Sequence, residues 1–389
     1  MFYSGKVKKA FIALIKSAIA GGNVDAELLS CDLEELFILS RNHDLAHLVA
    51  EGLLKNGQLR DKTQLSKDFT KQRWLAVYRE TQLTAATQKI CRLFSDNEIR
   101  FVKLKGSVLR GLYPEMWMRT SCDIDLLIDK ESLDKAKDVL VSGGFKTDGK
   151  VKYHDISFYR DWVYLELHHS ILETIPALDE ILATVWDNCD KVSLFEYRER
   201  PEFFVFHHLA HMAYHFTSGG CGVRTLLDLW IMKSKGYYDE DKLTPLIEKA
   251  GLIKFYKAMS DVCAVWFEGA KHNGLTEKTE SYIIDNGIYG LPDASAQAGV
   301  TKHGGKFGYM LRLAFPKYKF MCISYPILKK APVLLPIYYV VRLCSKLFGK
   351  DSRKSRVTFN SIVRQSKADV EQTKWLFEQL EVDFKVEHF

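Results

Sequence analysis

No apolar run in this chain of 389 residues approaches the roughly 20 that a membrane-spanning helix needs. The opening stretch, MFYSGKVKKAFIALIKSAIAGG, is amphipathic, but Lys6, Lys8, Lys9 and Lys16 interrupt it and it lacks a signal-peptide core. Eight cysteines are scattered without a C-x-x-C pair or a disulfide framework, which suits a reducing compartment. The expected location is therefore cytoplasmic. No internal repeat of solenoid period and no low-complexity tract is present. Nucleic acid is not an expected partner, since the chain carries no RNP-type aromatics, KH loop or zinc pattern. Acids are scarce in one place: residues 301–356 hold 13 Lys/Arg against a single acid, Asp351, a net +12 that leaves the rest of the chain at −6.

An apolar fraction of 47% with 12% aromatics describes a chain that folds throughout, and its length suits two or three compact units. Residues 1–97 read as helices: Leu28 to Leu39, Asp44 to Leu54 and Gln72 to Phe94 are apolar at helical spacing. Strands follow. Arg100 to Lys105 alternates, as does Cys122 to Ile128. Asp129 is placed to cap a helix through Leu133, Ala136 and Leu140 that stops at Gly143-Gly144. Asp155–Tyr159 and Trp162–His168 read as a hairpin around Arg160-Asp161. This is an α+β layout with a small mixed sheet. Helices return over Glu202–Thr217, Val223–Lys233, Lys242–Ala250 and Ile253–Glu268. A Gly- and Asp-rich loop over 271–308, the basic segment and a polar tail with one helix at Asp369–Leu380 complete the chain. The implied units are 1–97 (helical), 98–195 (catalytic core), 196–300 (helical, substrate side) and 301–389.

Asp123-Ile124-Asp125 carries the chemistry. On a strand its two carboxylates share one face while Ile124, Leu126 and Ile128 take the other. Such a pair suits Mg2+, which takes a few carboxylate oxygens together with substrate phosphates and water. Sixteen residues before Asp123, Lys105-Gly106-Ser107 forms a turn into a short helix, whose backbone N–H groups can face phosphate. Glu166, in Tyr164-Leu165-Glu166-Leu167-His168, supplies a third acid if its strand lies beside that of Asp125. Three such acids can hold two metals. The bland alternative for Glu166 is a solvated strand residue. His168 shares its face and can touch phosphate or metal, or can be a satisfied strand-end histidine.

The run LKGSVLRGLYPEMWMRTSCDIDLLI, a helix ending in GGF, and then YLELHH resemble the polymerase-β-type nucleotidyltransferases. More narrowly, they resemble the uncharacterised nucleotidyltransferase family found beside bacterial surface-polysaccharide genes. The similarity covers about residues 75–235 and, more weakly, the basic segment. Gly106, Ser107, Asp123, Asp125 and Glu166 match the superfamily pattern in order, although the spacer from Ser107 to Asp123 is long and Lys105 replaces a small residue. The resemblance implies a polymerase-β-like core and metal-dependent transfer, with Mg2+ or Mn2+, of a nucleotidyl group from an NTP to a hydroxyl or phosphate of a small-molecule or glycan-related acceptor. It also makes Lys105, expected on the strand face of Lys103 and Phe101, and Arg119 phosphate ligands. Lys103 and Arg119 have the alternative reading of surface charges.

His207, His208, His211 and His215 fall on one helix, with His208, His211 and His215 on one face. No cysteine or acid stands near them in sequence, so packed histidines lining a cleft are expected in preference to a metal site. Arg224 and Asp228, at i and i+4, read as a helix ion pair or, by the narrower resemblance, as part of a substrate pocket with His211 and His215. The basic segment is broken by Pro332 and Pro336. It reads either as core helices with a solvated basic face or as an interfacial segment making peripheral contact with the inner face of the membrane. Competing functions are a catalytically silent nucleotide-binding regulator or scaffold and a protein-modifying, antitoxin-like nucleotidyltransferase. Three retained acids argue against the silent reading.

Overall fold

Period-two alternation and buried helical stripes lead to a six-stranded mixed sheet with helices on both sides. The structure, a computed structural model, describes residues 3–61, 63–148, 154–288, 290–349 and 352–383. Asp351, the lone acid of the basic segment, lies outside the described residues.

Before the sheet come α1 (Gly5–Ala20), α2 (Ala26–Leu29), α3 (Leu33–Asn42), α4 (Ala46–Lys55) and α5 (Gln64–Asp96). The single helix expected over Leu28–Leu39 is two. The Asp32 carboxylate accepts the N–H groups of Glu34 and Glu35 at 2.9 and 3.0 Å and so starts α3 afresh. Thr63 caps α5 in the same way, which starts that helix eight residues before Gln72.

The strands are β1 (Phe101–Lys103), β2 (Ile124–Ile128), β3 (Asp155–Arg160), β4 (Val163–His168), β5 (Cys189–Lys191) and β6 (Glu196–Glu199), in sheet order β3-β4-β2-β1-β6-β5. β1 and β2 are shorter than their alternating runs, so Asp123 stands just before its strand. The β3–β4 hairpin forms as expected. The β5–β6 hairpin does not announce itself in the sequence: its strands are short and polar, and β6 is fixed by pairing in parallel with β1. Between the strands lie α6 (Gly106–Leu109), α7 (Leu133–Ser142) and α8 (Pro176–Leu182). Asp129 does not cap α7. Its carboxylate accepts Nε and Nη2 of Arg100 at 2.9 and 2.8 Å instead, and a 3-10 turn precedes the helix.

Helices α9 (Pro201–Phe216), α10 (Gly222–Ser234), α11 (Glu240–Lys249) and α12 (Ile253–Cys263) match the second-half pattern, and a π-helical turn, Ala264–Glu268, finishes the last. The loop expected over 271–308 is instead mostly helical, α13 (Gly274–Asn286) and α14 (Pro292–Lys302). Its turn-forming residues sit at the helix ends: Asn273 builds a capping box, Pro292 opens α14 and Gly287 follows α13. Helices α15 (Lys306–Ala314), α16 (Tyr318–Ser324) and α17 (Leu335–Phe348) follow. The tail holds two helices, α18 (Ser352–Arg364) and α19 (Lys367–Gln379), where one was expected.

The sheet separates two cores. Phe101, Ile124, Leu126, Phe158 and Leu165 pack with Ile90 and Phe94 of α5 and Leu140 of α7. The opposite face offers Val102 and Leu127 to a larger core. That core unites Phe11 and Leu48 from the N-terminal helices with Phe206, Leu227, Phe255, Ile283 and Phe377. Ile124 and Leu126 belong to the first core, so alternation places Asp125 between them on the Leu127 side.

Candidate active site

β2 and β4 are parallel neighbours, and Asp125 is the register partner of Glu166, as Leu127 is of His168. Parallel pairing with period-two alternation sends Asp125, Glu166 and His168 out of one face at one edge of the larger core. Among the described residues these three form the group whose ligand atoms all lie within 4.8 Å of one another. The His168 Nε2–H donates to Asp125 Oδ1 at 3.0 Å and lies 3.8 Å from Glu166 Oε2. A ring nitrogen that donates to a carboxylate orients that carboxylate, the arrangement found around metal-bound acids. His154 stacks on His168 with ring centroids 5.5 Å apart and planes 3° from parallel. Burial, with His168 beside it, pushes the His154 imidazole down to about 4.

Asp123 precedes the strand on the same face. Burial and the neighbouring Asp125 raise its carboxyl above the usual range. Burial would raise Asp125 too, but the Lys105 ammonium and the His168 hydrogen bond outweigh it and hold that carboxyl well below its ordinary value. Two acids this close resist ionising together unless a cation joins them. The atoms that come together are carboxylate oxygens of Asp125 and Glu166 and a ring nitrogen of His168, an oxygen-rich set that can hold a hard divalent cation, and Asp123 lies outside that group.

Lys105 is not on the strand face of Phe101 and Lys103. β1 ends at Lys103, which pairs with Glu196 at 2.6 Å. Lys105 itself has φ 41° and ψ −115°. That left-handed, sparsely populated backbone is strained for a lysine, the kind of strain that gathers at functional sites. It turns the side chain into the acid cluster. Burial would lower its ammonium, but Asp125, Glu173, Asp123 and Glu166 together raise it. The turn packs tightly: a Cβ on Gly106 would stand 3.2 Å from Ser121 Cβ. Ser107 is half-buried, and its N–H is engaged by the Leu104 carbonyl at 3.1 Å.

Arg119 and the Arg224–Asp228 pair behave differently from expectation. Arg119 is buried, and its Nε donates to both oxygens of Asp228, at 2.7 and 3.0 Å, while Nη1 donates to the Thr120 carbonyl. Tyr113 donates to the same Asp228 oxygen at 2.6 Å. Asp228 is thus held by residues 109 and 115 positions away, not by Arg224 one turn before it. Arg224 instead pairs with Asp44 at 2.6 Å, leaves its Nε without a hydrogen-bond partner, and is near enough to Asp123 to lower that carboxyl's raised pKa. Helical spacing alone could not show these long-range partners.

The histidines of α9 divide. His207 bonds Glu199 at 3.0 Å, and His208 donates to the Thr225 carbonyl at 2.9 Å. His211 donates Nδ1–H to Glu173 at 2.7 Å, and His215 stacks edge-on against it at 4.4 Å. Burial, then Lys105, holds His211 well below its ordinary value, and burial with His211 beside it holds His215 at about 3. Glu173, seven residues after Glu166, thus joins the site although nothing in its sequence setting marks it.

A family model described as an uncharacterised nucleotidyltransferase matches residues 30–268. The chain belongs to that family. The match takes in α3 to α12, and so includes Asp44 as well as the acids, and it ends before the basic segment. No curated protein and no solved structure matches the chain. Membership assigns the protein, at a general level, to nucleotidyl transfer.

Proposed function

We propose that this protein transfers a nucleotidyl group from an NTP to a hydroxyl or phosphate of a small-molecule or glycan-related acceptor. The observation that carries this reading is the side-by-side register of Asp125 and Glu166, with the Lys105 ammonium drawn among their charges. Asp123, Asp125 and Glu166 would hold Mg2+ or Mn2+, which when bound neutralises triphosphate charge and lowers the pKa of a bound hydroxyl. Lys105 and Arg224 are the cations positioned to meet phosphate oxygens, and Arg224 can exchange its half-exposed partner Asp44 for them. Arg119 supports the wall behind them.

In the transfer, an acceptor oxygen bonds to the α-phosphorus as the bond from that phosphorus to the bridging oxygen breaks, releasing pyrophosphate. The acceptor proton is lost to water, to which the site opens beside Glu166, whose side chain is 25% exposed. The protein's own contribution is positioning and charge neutralisation. The His211–His215 pair beside Glu173 forms the acceptor side, where a hydroxyl can find hydrogen-bond partners.

The test is binding of each of the four NTPs with and without Mg2+, in wild type and in Asp125→Asn/Glu166→Gln. Mg2+-dependent binding that disappears in the variant supports the assignment. Binding of every NTP that is indifferent to both metal and variant overturns it, in favour of a nucleotide-binding scaffold.

A further inference from the structure

Of the 27 large apolar side chains that are exposed among the described residues, 16 lie between positions 307 and 363. They are not scattered. On α15, Phe307 and Leu311 precede Phe315 at steps of four, one stripe along the helix, and all three are exposed. On α17, Ile337, Val340, Val341, Leu347 and Phe348 repeat at helical spacing and are 45–85% exposed, while Arg342 and Lys346 are partly covered. Neither helix has a buried residue. A soluble amphipathic helix turns its apolar face inward; these two pack Tyr309 and Met310 of α15 and Leu335, Tyr338 and Tyr339 of α17 against small cores and still leave a further apolar stripe exposed. Core helices with a solvated basic face account for buried Met321, Cys322 and Leu328, but not for the exposed apolar stripes of α15 and α17.

Between α15, α17 and α18 runs a groove of about 540 Å3. Leu313, Leu343 and Phe359 lie along it, and Arg342, Lys354 and Arg356 border it. Apolar floor and cationic rim together are the chemistry of an amphiphile with an anionic head. Leu347 belongs both to this groove and to the exposed stripe of α17, so the two surfaces are continuous.

We propose that the face built from α15, α17 and α18 attaches the protein to an anionic phospholipid bilayer, lying in the plane of the membrane. Three observations select this occupant. Residues 301–356 carry +12 with one acid, which draws anionic headgroups and sets two copies of this face against each other by repulsion. No single helix among the described residues is long and apolar enough to cross a membrane, and α17 has 14 residues. The helices α17 and α18 reach the length and apolarity of a span only as a pair bent by 90°, a shape that lies along an interface more readily than it crosses one. Apolar stripes then enter the acyl boundary while Lys and Arg remain among the headgroups, the arrangement of interfacial helices.

The experiment is flotation of the full-length protein with vesicles of phosphatidylcholine alone or of phosphatidylcholine mixed with phosphatidylglycerol, at physiological salt. Flotation with the mixed vesicles only is expected. Lys354→Ser/Arg356→Ser should lower the partition coefficient by roughly 30-fold, from the contribution of each basic residue near an anionic surface. Ile337→Ser/Val340→Ser/Phe348→Ser, all at exposed positions, should abolish flotation and leave the thermal midpoint unchanged. Wild-type protein that stays at the bottom with the mixed vesicles overturns the proposal, and concentration-dependent self-association lost in the apolar variant would then identify a second copy as the occupant. Equal flotation on both vesicle types also overturns it. None of these results depends on nucleotide binding.

Discussion

Arg119 Nε lies 2.7 Å from Asp228 Oδ1, joining the loop before β2 to the middle of α10 inside the protein. Both side chains are buried, and Tyr113 completes the set. Removing one partner of such a pair leaves the other desolvated and unpaired, which costs about 3–5 kcal/mol. Arg119→Ala and Asp228→Ala should therefore each lower the urea midpoint markedly, and Arg119→Met/Asp228→Leu should cost less than either. A variant Arg119→Ala with a wild-type midpoint and weakened NTP binding would return Arg119 to the role of a phosphate ligand.

Arg224 offers a contrast. Its partner Asp44 is 39% exposed, so the pair is open to solvent and exchangeable. Arg224→Ala should weaken Mg2+-dependent NTP binding by roughly 10- to 100-fold, the range of a lost charge-assisted contact. Asp44→Ala frees the guanidinium and should leave that affinity equal or stronger. Calorimetric titration of both variants decides the matter: equal losses in the two would make the pair structural.

The charges of Asp125, Glu173, Asp123 and Glu166 together raise the Lys105 ammonium. Lys105→Met should lower stability by on the order of 1–3 kcal/mol, the cost of leaving desolvated charge uncompensated. Mg2+ should restore much of that loss, because a divalent cation replaces the missing charge. The readout is the thermal midpoint with and without Mg2+, and the Mg2+-induced rise should be larger in the variant than in wild type. An identical rise in both would separate Lys105 from the metal site.

The grouping of Asp125, Glu166 and His168 was legible because strand alternation is a local rule: the three fall on one face once their strands are recognised. The layout of helices around a small mixed sheet was legible for the same reason. Partners set by tertiary packing were not. Nothing near Arg224 points to Asp44, 180 positions earlier, and nothing in Ile171-Leu172-Glu173-Thr174 marks Glu173 as the partner of His211. The sequence marks Lys105 as a site residue but places it on the strand face, because a positive φ is expected of glycine, not lysine. The segment 271–308 reads as loop because Asn273, Gly287 and Pro292, which stand at the ends of its helices, are residues that serve turns and helix ends alike.

His43 gives the fold a pH limit. It is fully buried between the N-terminal helices and α10: its Nδ1 accepts the Val223 N–H at 3.0 Å, and its Nε2–H donates to the Ile284 carbonyl at 3.0 Å. Burial holds the folded imidazole at about 4, against 6.5 when unfolded. Between these values the unfolded chain binds the extra proton and the folded chain does not, so stability is fully present above pH 6.5 and falls as pH drops toward 4. The loss from this one ring is about 3 kcal/mol. His47, which donates to the Met118 carbonyl and is likewise held at about 4, falls in the same window. His43→Asn keeps an acceptor for Val223 without a titrating ring. It should lower stability at neutral pH and flatten the decline between pH 6.5 and 4, measured as urea midpoints across that range. A decline as steep in His43→Asn as in wild type would assign the acid sensitivity to other groups.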